Sequence, residues 1–301
     1  MRAQFHCLSQ WSLFSFVCMH ACWPNDIVNG CRMIKTEPSN RDSEPWRTYA
    51  EALYSGAIDP PVISEILEWH QTQQGSNVKG SRLKLGALSG CGGDVHCGDS
   101  LETFTCHGWG TGLLQADEIE PYLLQMYTWS AHAYTRGTTI APESTVIDRT
   151  KGSPSFATPA GVTAPIMLKW ALVWEDPIER SLWFGKALPR VWLEEGEDVT
   201  VSGASSAYGR VGLSIHSTFR SAKTITANVT VPKSWATSGA PSGGMRLRLR
   251  CPDKTSQIKS VTIGGSAWKG FNATEETVVL SKDDLAVSGV LAKMQHVIVQ
   301  Y

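Results

Sequence analysis

The chain has 301 residues, of which 42% are hydrophobic and 18% are charged, and its formal net charge is −1. This length accommodates two domains of ordinary size. A nearly neutral chain without a basic cluster is not typical of proteins that bind nucleic acid or anionic membranes, and no apolar run approaches the roughly 20 residues that cross a bilayer. We therefore predict a globular protein with neither a nucleic-acid nor a membrane partner; the composition leaves its oligomeric state open.

Residues 1–44 are predicted to be an N-terminal extension that lies outside the fold. A weakly apolar stretch from Trp11 to Ala21 follows a single positive charge at Arg2, which is a signal-like pattern. The alternatives are a disordered extension and a misassigned start. Together with N-glycosylation sequons at Asn228 and Asn272, the pattern makes an extracellular location one alternative, and the compartment is otherwise open.

Residues 45–160 are predicted to form a helical segment. Apolar residues recur at helical spacing in Pro60–Gln74, which indicates a helix. The Gly-rich stretch Gly75–Gly112 indicates a long irregular loop, on which Trp109 would be exposed. A second helix is predicted from Asp117, as the N-cap, to Tyr134.

The Gly-rich stretch also holds most of the residues that could bind a metal. These residues are Cys91, His96, Cys97, Cys106 and His107. Structural zinc ligands usually come in pairs about two to four residues apart, whereas these are either adjacent or widely separated. We therefore predict no metal and no cofactor, with zinc binding as the alternative.

Residues 161–301 are predicted to form an antiparallel β-sandwich, because apolar and polar residues alternate there between Gly-containing turns. The predicted strands are Ile166–Trp174, Ser181–Leu188, Val199–Ser202, Arg210–His216, Thr224–Val231, Met245–Arg250, Val261–Ile263, Thr277–Leu280 and Val297–Gln300. In Met245–Arg250 three apolar residues would face the core and three arginines the solvent. The predicted fold class is α+β, with a helical segment followed by an antiparallel sandwich.

The order of these segments resembles that of the six-hairpin glycosidase superfamily, in which an (α/α)6 barrel precedes C-terminal β-sandwich material. The segments that carry the resemblance are Thr135–Glu143, Leu182–Leu193, Ala204–Arg210, Met245–Pro252 and Val261–Gly265. The resemblance implies a glycoside hydrolase that acts on a poly- or oligosaccharide. Most helices of such a barrel are missing from the sequence, so it also implies the C-terminal part of a longer enzyme, with the helical segment as a remnant of the barrel.

Glu143 is the predicted catalytic carboxylate, since glycoside hydrolysis generally needs two carboxyl groups and Glu143 lies in a loop after the long helix. A structural role, such as an ion pair with Arg136, is the alternative. Asp117 and Glu118 are also candidates, although helix capping explains them. They lie at the opposite end of the helix, farther from Glu143 than the roughly 5–9.5 Å of a catalytic pair. A partner for Glu143 would therefore come from elsewhere.

Four residues near this helix are predicted to bind a sugar, by stacking or by hydrogen bonds to hydroxyl groups. They are Trp109, His132, Tyr134 and Arg136. The alternatives are a core position for Tyr134 and a structural role for His132.

Two functions of other classes also fit the sequence. One is a non-catalytic carbohydrate-binding module, which needs an exposed aromatic row such as Trp170, Trp174 and Trp183. The other is an inactive structural remnant. Burial in the core is the alternative for the three tryptophans.

Overall fold

A computed structural model of the chain describes residues 27–28, 31–32, 45–72, 83–84, 86–88, 100–102, 106–134, 140–146, 157–287, 289–294 and 296–301. The chain divides into two compact units, which we call the helical unit (Met1–Pro165) and the β unit (Ile166–Tyr301). The predicted N-terminal extension lies almost entirely outside the described residues. No helix in the described part of the chain is long and apolar enough to cross a membrane.

Among the described residues, the helical unit contains four complete α-helices and the start of a fifth. They are α1 (Pro45–Tyr54), α2 (Pro60–Thr72), α3 (Cys106–Gln115) and α4 (Ile119–Thr128). Short antiparallel pairs join β1 (Ile27–Val28) to β2 (Cys31–Arg32), β3 (Leu83–Lys84) to β4 (Ala87–Leu88), and β5 (Ser100–Glu102) to β6 (Ser144–Val146). Helix α3 packs against α1, α2 and α4 and so forms the centre of this unit. The helix predicted from Pro60 is confirmed.

Helix α3 replaces part of the predicted loop, and that prediction was wrong for its last residues. Glycine disfavours helix by about 1 kcal/mol per residue, which is why the sequence indicated a loop. The same glycines allow close packing: a Cβ on Gly108 would overlap the carbonyl group of Ala50, and one on Gly112 would lie 2.8 Å from the Leu53 side chain. Tertiary packing against α1 therefore outweighs the local propensity.

The start of α4 also differs from the prediction. Asp117 has φ +60° and lies in the tight turn after α3, and Glu118 is the N-cap, without a side-chain capping hydrogen bond. The N–H of Glu118 donates to the Leu113 carbonyl at 2.8 Å, which holds the turn closed. In this three-residue connection Asp117 takes the left-handed conformation, which Asp tolerates better than most residues.

Helix α5 (Thr158–Leu172) begins in the helical unit and continues into the β unit. The predicted strand Ile166–Trp174 was therefore wrong: its first seven residues are helical, and only Val173 and Trp174 belong to β7. A continuous apolar run is equally compatible with a buried helix and a buried strand, so periodicity does not separate them.

The β unit is an antiparallel-rich sandwich of two sheets, which confirms the predicted α+β fold class. Its strands are β7 (Val173–Asp176), β8 (Ser181–Phe184), β9 (Asp198–Ser206), β10 (Gly209–Thr218), β11 (Thr224–Thr230), β12 (Met245–Arg248), β13 (Ser260–Ile263), β14 (Ser266–Trp268), β15 (Phe271–Asn272), β16 (Thr277–Leu280) and β17 (Val297–Gln300). One sheet has the order β14-β13-β17-β11-β10-β9 and the other β15-β16-β12-β8-β7. Strands β8 and β12 pair in parallel. Short helices α6 (Phe219–Ala222), α7 (Lys282–Ala286) and α8 (Val290–Lys293) connect strands.

The core of the β unit lies between the two sheets and follows the alternation in the sequence. In β11, Ile225, Ala227 and Val229 are buried, whereas Asn228 between them is exposed. Leu247 of β12 enters the same core from the other sheet. The alternating residues of this sandwich therefore place their apolar side chains as predicted.

Two of the three arginines in the predicted strand Met245–Arg250 contradict the predicted outward placement, whereas Arg246 is partly exposed. Arg248 and Arg250 are only 7% and 4% exposed. The Nε of Arg248 donates to the Glu275 carbonyl at 2.9 Å, and Nη1 of Arg250 donates to the Leu188 carbonyl at 3.1 Å. The charged groups are buried because their hydrogen-bond donors reach loop carbonyls, which compensates for lost hydration.

Candidate functional site

The candidate site is built on the C-terminal end of α4. After Thr128 the helix widens into one π turn, Trp129–Ala133, and Tyr134 is extended. The Trp129 N–H is shared between the carbonyls of Gln125 and Met126, and the Ser130 hydroxyl donates to the Met126 carbonyl at 2.9 Å. A second donor on the Met126 carbonyl weakens the regular pattern of backbone hydrogen bonds in the helix. Single π turns are frequent at functional sites.

His132 is on this π turn and is partly exposed. Tyr134, which follows the turn, is also partly exposed, and its hydroxyl donates to the Gly161 carbonyl of α5 at 2.7 Å. Burial is the main cause that raises the pKa of Tyr134 above its usual value. The hydroxyl proton of Tyr134 is therefore already donated, whereas its oxygen can still accept a hydrogen bond.

Glu143 is exposed and directly precedes β6. Strand β6 pairs with β5, where Glu102 is opposite Ser144. Strand β6 also packs against the π turn. The fold thus brings the segment that carries Glu143 beside the segment that carries His132. Residues 135–139, which connect them, lie outside the described residues.

Of the remaining predicted site residues, the described structure places Trp109 away from this group. Trp109 is 1% exposed inside α3, so its predicted exposure was wrong. Its ring lies edge-on to His70 with the centroids 4.9 Å apart. The glycines that indicated a loop instead allow α3 to bury this ring. Arg136 lies outside the described residues.

His70 is the centre of an aromatic cluster that sequence reasoning missed. The ring is fully buried between Tyr49, Trp69 and Trp109, with ring centroids 4.8–5.7 Å away. Neither ring nitrogen has a hydrogen-bond partner among the described residues. Burial lowers the pKa of His70 to about 3. The neutral ring of His70 is thus part of the hydrophobic core. In the sequence, its helical spacing with Ile66 and Leu67 was the signal that indicated this buried position.

No metal cluster forms among the residues that the structure describes. Cys91, His96 and Cys97 lie outside them, whereas His107 at the start of α3 lies edge-on to Tyr54 with the centroids 4.9 Å apart. Cys251 in the β unit is buried, and burial raises the pKa of its thiol to about 12. A thiol with so high a pKa has little thiolate at neutral pH and is a poor nucleophile.

The three tryptophans proposed for a binding face do not form an exposed row. Trp174 and Trp183, opposite each other on β7 and β8, are 3% and 7% exposed. Trp170 is on α5 rather than on a strand and lies edge-on to Trp174 at 5.6 Å. Trp170 and Trp174 therefore do not share a strand face, and burial explains the strand pair.

Trp183 instead contacts basic side chains on its sheet face. The Lys186 ammonium lies 3.8 Å from the ring centroid, and the guanidinium carbons of Arg246 and Arg248 lie at 5.4 and 6.0 Å. Lys186 is 3% exposed, so this cation–π contact is shielded from water. The alternation in β12 was the signal for this cluster, but the sequence alone suggested solvent on that face.

No protein-family model matches the sequence, and no curated protein matches it. Among solved structures, the chain is similar to a GH127 beta-arabinofuranosidase, with 11% sequence identity and a TM-score of 0.33. The likeness is distant. It covers 84% of this chain and 41% of that chain, so this chain spans less than half of that protein.

Proposed function

We propose that the chain is a glycoside hydrolase, or the C-terminal part of one in the six-hairpin superfamily, that acts on a poly- or oligosaccharide. The observation that supports the proposal is the placement of Glu143 next to β6, which packs against the π turn bearing His132. A carboxylate and an imidazole on two segments that pack together, with an aromatic ring directly after one of them, are groups suited to sugars, since carboxylates transfer protons and rings stack on C–H faces.

Glu143 would act as the acid, base or nucleophile, and His132 and Tyr134 would contact the sugar. The second carboxyl group would come from another segment. Glu118 lies at the other end of α4, and α4 with its π turn is roughly 20 Å long at 1.5 Å per residue. Such a length is well beyond the spacing of a catalytic pair, which is about 5–9.5 Å.

The test measures both turnover and binding, with Glu143→Gln as the variant and Glu118→Gln as the matched control. Glu118 is also exposed and makes no side-chain cap hydrogen bond, so its loss should leave the helix intact. We expect hydrolysis of aryl glycosides by the purified chain to fall at least about 100-fold in Glu143→Gln, the usual effect of losing a general acid or base. Glu118→Gln should retain the original rate.

Saturation-transfer NMR with the same glycosides then separates the two alternative functions. Binding without hydrolysis, unchanged in Glu143→Gln, would favour a non-catalytic binding module. Neither hydrolysis nor binding of any glycoside would contradict both carbohydrate functions and leave the inactive remnant. Trp174 and Trp183 are buried, so they do not supply the aromatic row that a binding module needs.

A further inference from the structure

Two N-glycosylation sequons lie in the β unit, and the proposed function uses neither of them. The sequon of Asn228 is inside β11, whereas Asn272 is the last residue of β15 and its sequon continues into the turn before β16. The motif is an asparagine followed two positions later by serine or threonine, and the glycan that it accepts is bulky and polar. The folded chain must accommodate this glycan at whichever asparagine carries it, and the structure distinguishes the two.

The Asn272 side chain uses only its oxygen to stabilise the turn between β15 and β16. Oδ1 accepts hydrogen bonds from the backbone N–H groups of Thr274 and Glu275, both at 3.1 Å. Asparagine commonly closes turns in this way, by bonding to the backbone two residues further on. The Nδ2 atom, to which a glycan is attached, has no hydrogen-bond partner among the residues that the structure describes. A glycan on Nδ2 therefore leaves both hydrogen bonds of the turn in place.

Asn272 is also at the edge of a sheet. Strand β15 is an edge strand of the five-stranded sheet, where it pairs with β16 on one side only. Asn272 is partly exposed, and Thr274, which supplies the hydroxyl group of the sequon, is exposed. An edge strand offers unpaired backbone groups to other chains, and proteins commonly cover such edges. A glycan on Asn272 would be attached where the sheet ends and would cover that edge.

Asn228 is in a less favourable position. Strand β11 lies between β10 and β17, and Asn228 is exposed on it. Its Nδ2 donates to the Ser214 hydroxyl of β10 at 3.2 Å, and Ser214 is directly opposite Asn228 in the strand pairing. The atom that would carry a glycan is thus the atom that already makes a cross-strand hydrogen bond. A glycan on Asn228 would compete with this hydrogen bond, whereas a glycan on Asn272 would not.

We propose that Asn272 is an N-glycosylation site and that its glycan comes from a lipid-linked oligosaccharide. In this transfer Nδ2 forms a bond to the anomeric carbon of the oligosaccharide, and the bond between that carbon and the lipid pyrophosphate breaks. The lipid pyrophosphate leaves with the bonding electrons and takes up the proton that Nδ2 loses. The product keeps one N–H on Nδ2 and the carbonyl group that closes the turn. The proposal implies that the chain passes through a secretory compartment, and it does not depend on glycosidase activity.

Mass spectrometry of tryptic peptides from the natural protein tests the proposal, because trypsin separates the two sequons. Cleavage after lysine places Asn272 in the peptide 270–282 and Asn228 in the peptide 224–233. A peptide amidase in heavy-oxygen water removes the glycans and converts each glycosylated asparagine into labelled aspartate, and digestion without the amidase is the blank for spontaneous deamidation. We expect the label in the peptide 270–282. An unlabelled peptide 270–282, or a label as abundant at Asn228 as at Asn272, would overturn the proposal.

Variants of the full chain, expressed behind a cleavable secretory signal in eukaryotic cells, separate the glycan from the turn. Thr274→Val removes the hydroxyl group of the sequon and Thr274→Ser retains it, so only the first should abolish the label. Asn272→Asp removes the acceptor nitrogen but keeps the oxygen that closes the turn, so this variant should fold and lack the label. Asn228→Gln is the matched control and should leave labelling of Asn272 unchanged. Loss of the label in Asn228→Gln, or its persistence in Thr274→Val, would contradict the assignment.

Discussion

His70 should make the helical unit sensitive to acid. Its pKa is about 3 in the folded chain, against 6.5 for an unperturbed histidine, so the unfolded chain binds a proton that the folded chain excludes. The stability from the neutral ring is fully present above about pH 6.5. It is lost as the pH falls from there toward about 3.

The magnitude follows from the difference in proton binding. Each pH unit below the unfolded pKa costs about 1.4 kcal/mol for one proton. From about pH 7.5 to about pH 5 the buried imidazole should therefore lower the free energy of unfolding by about 2 kcal/mol. Carboxyl groups add their own dependence, so the comparison must isolate His70.

His70→Phe isolates this effect, since phenylalanine keeps an aromatic ring among Tyr49, Trp69 and Trp109 but does not titrate. We would measure urea unfolding by far-UV circular dichroism at both pH values. The variant should lose about 2 kcal/mol less than the wild type between them. His296→Gln removes an exposed ring and should keep the wild-type dependence. An identical pH dependence in His70→Phe and wild type would refute the reasoning.

Two further substitutions test the packing and the buried charges, each by urea unfolding. Gly108→Ala should destabilise the helical unit by about 3 kcal/mol, because its Cβ would overlap the Ala50 backbone, whereas Gly112→Ala should cost less because it meets a flexible leucine side chain. Equal losses in these two variants would contradict this account. Glu276→Gln should destabilise the β unit by about 3 kcal/mol. Glu276 is only 7% exposed, and its carboxylate forms a bidentate ion pair with the Arg190 guanidinium at 2.8–2.9 Å. Glu275→Gln changes an exposed neighbour, and a loss as large there would show that the ion pair is not the cause.

The site residues themselves stay predictions, but the arrangement of their segments was predictable in part. Glu143 and His132 follow from their positions around the long helix, and the structure places their segments side by side. The burial of Trp109 was not predictable, because it depends on α1 and α2 lying against α3. The role of Tyr134 was hidden for the same reason: its partner, Gly161, is 27 residues away.

The sequence by itself determined the fold class and most strands of the sandwich. Alternating residues such as Ile225, Ala227 and Val229 have one favourable face, and that preference is local to the strand. The tertiary structure decided whether the apolar run after Pro165 is helix or strand, and that Arg248 and Arg250 are buried. These outcomes depend on contacts with carbonyl groups and rings from distant segments. A local sequence pattern does not indicate which distant groups will form hydrogen bonds with a buried charge or pack against an apolar run.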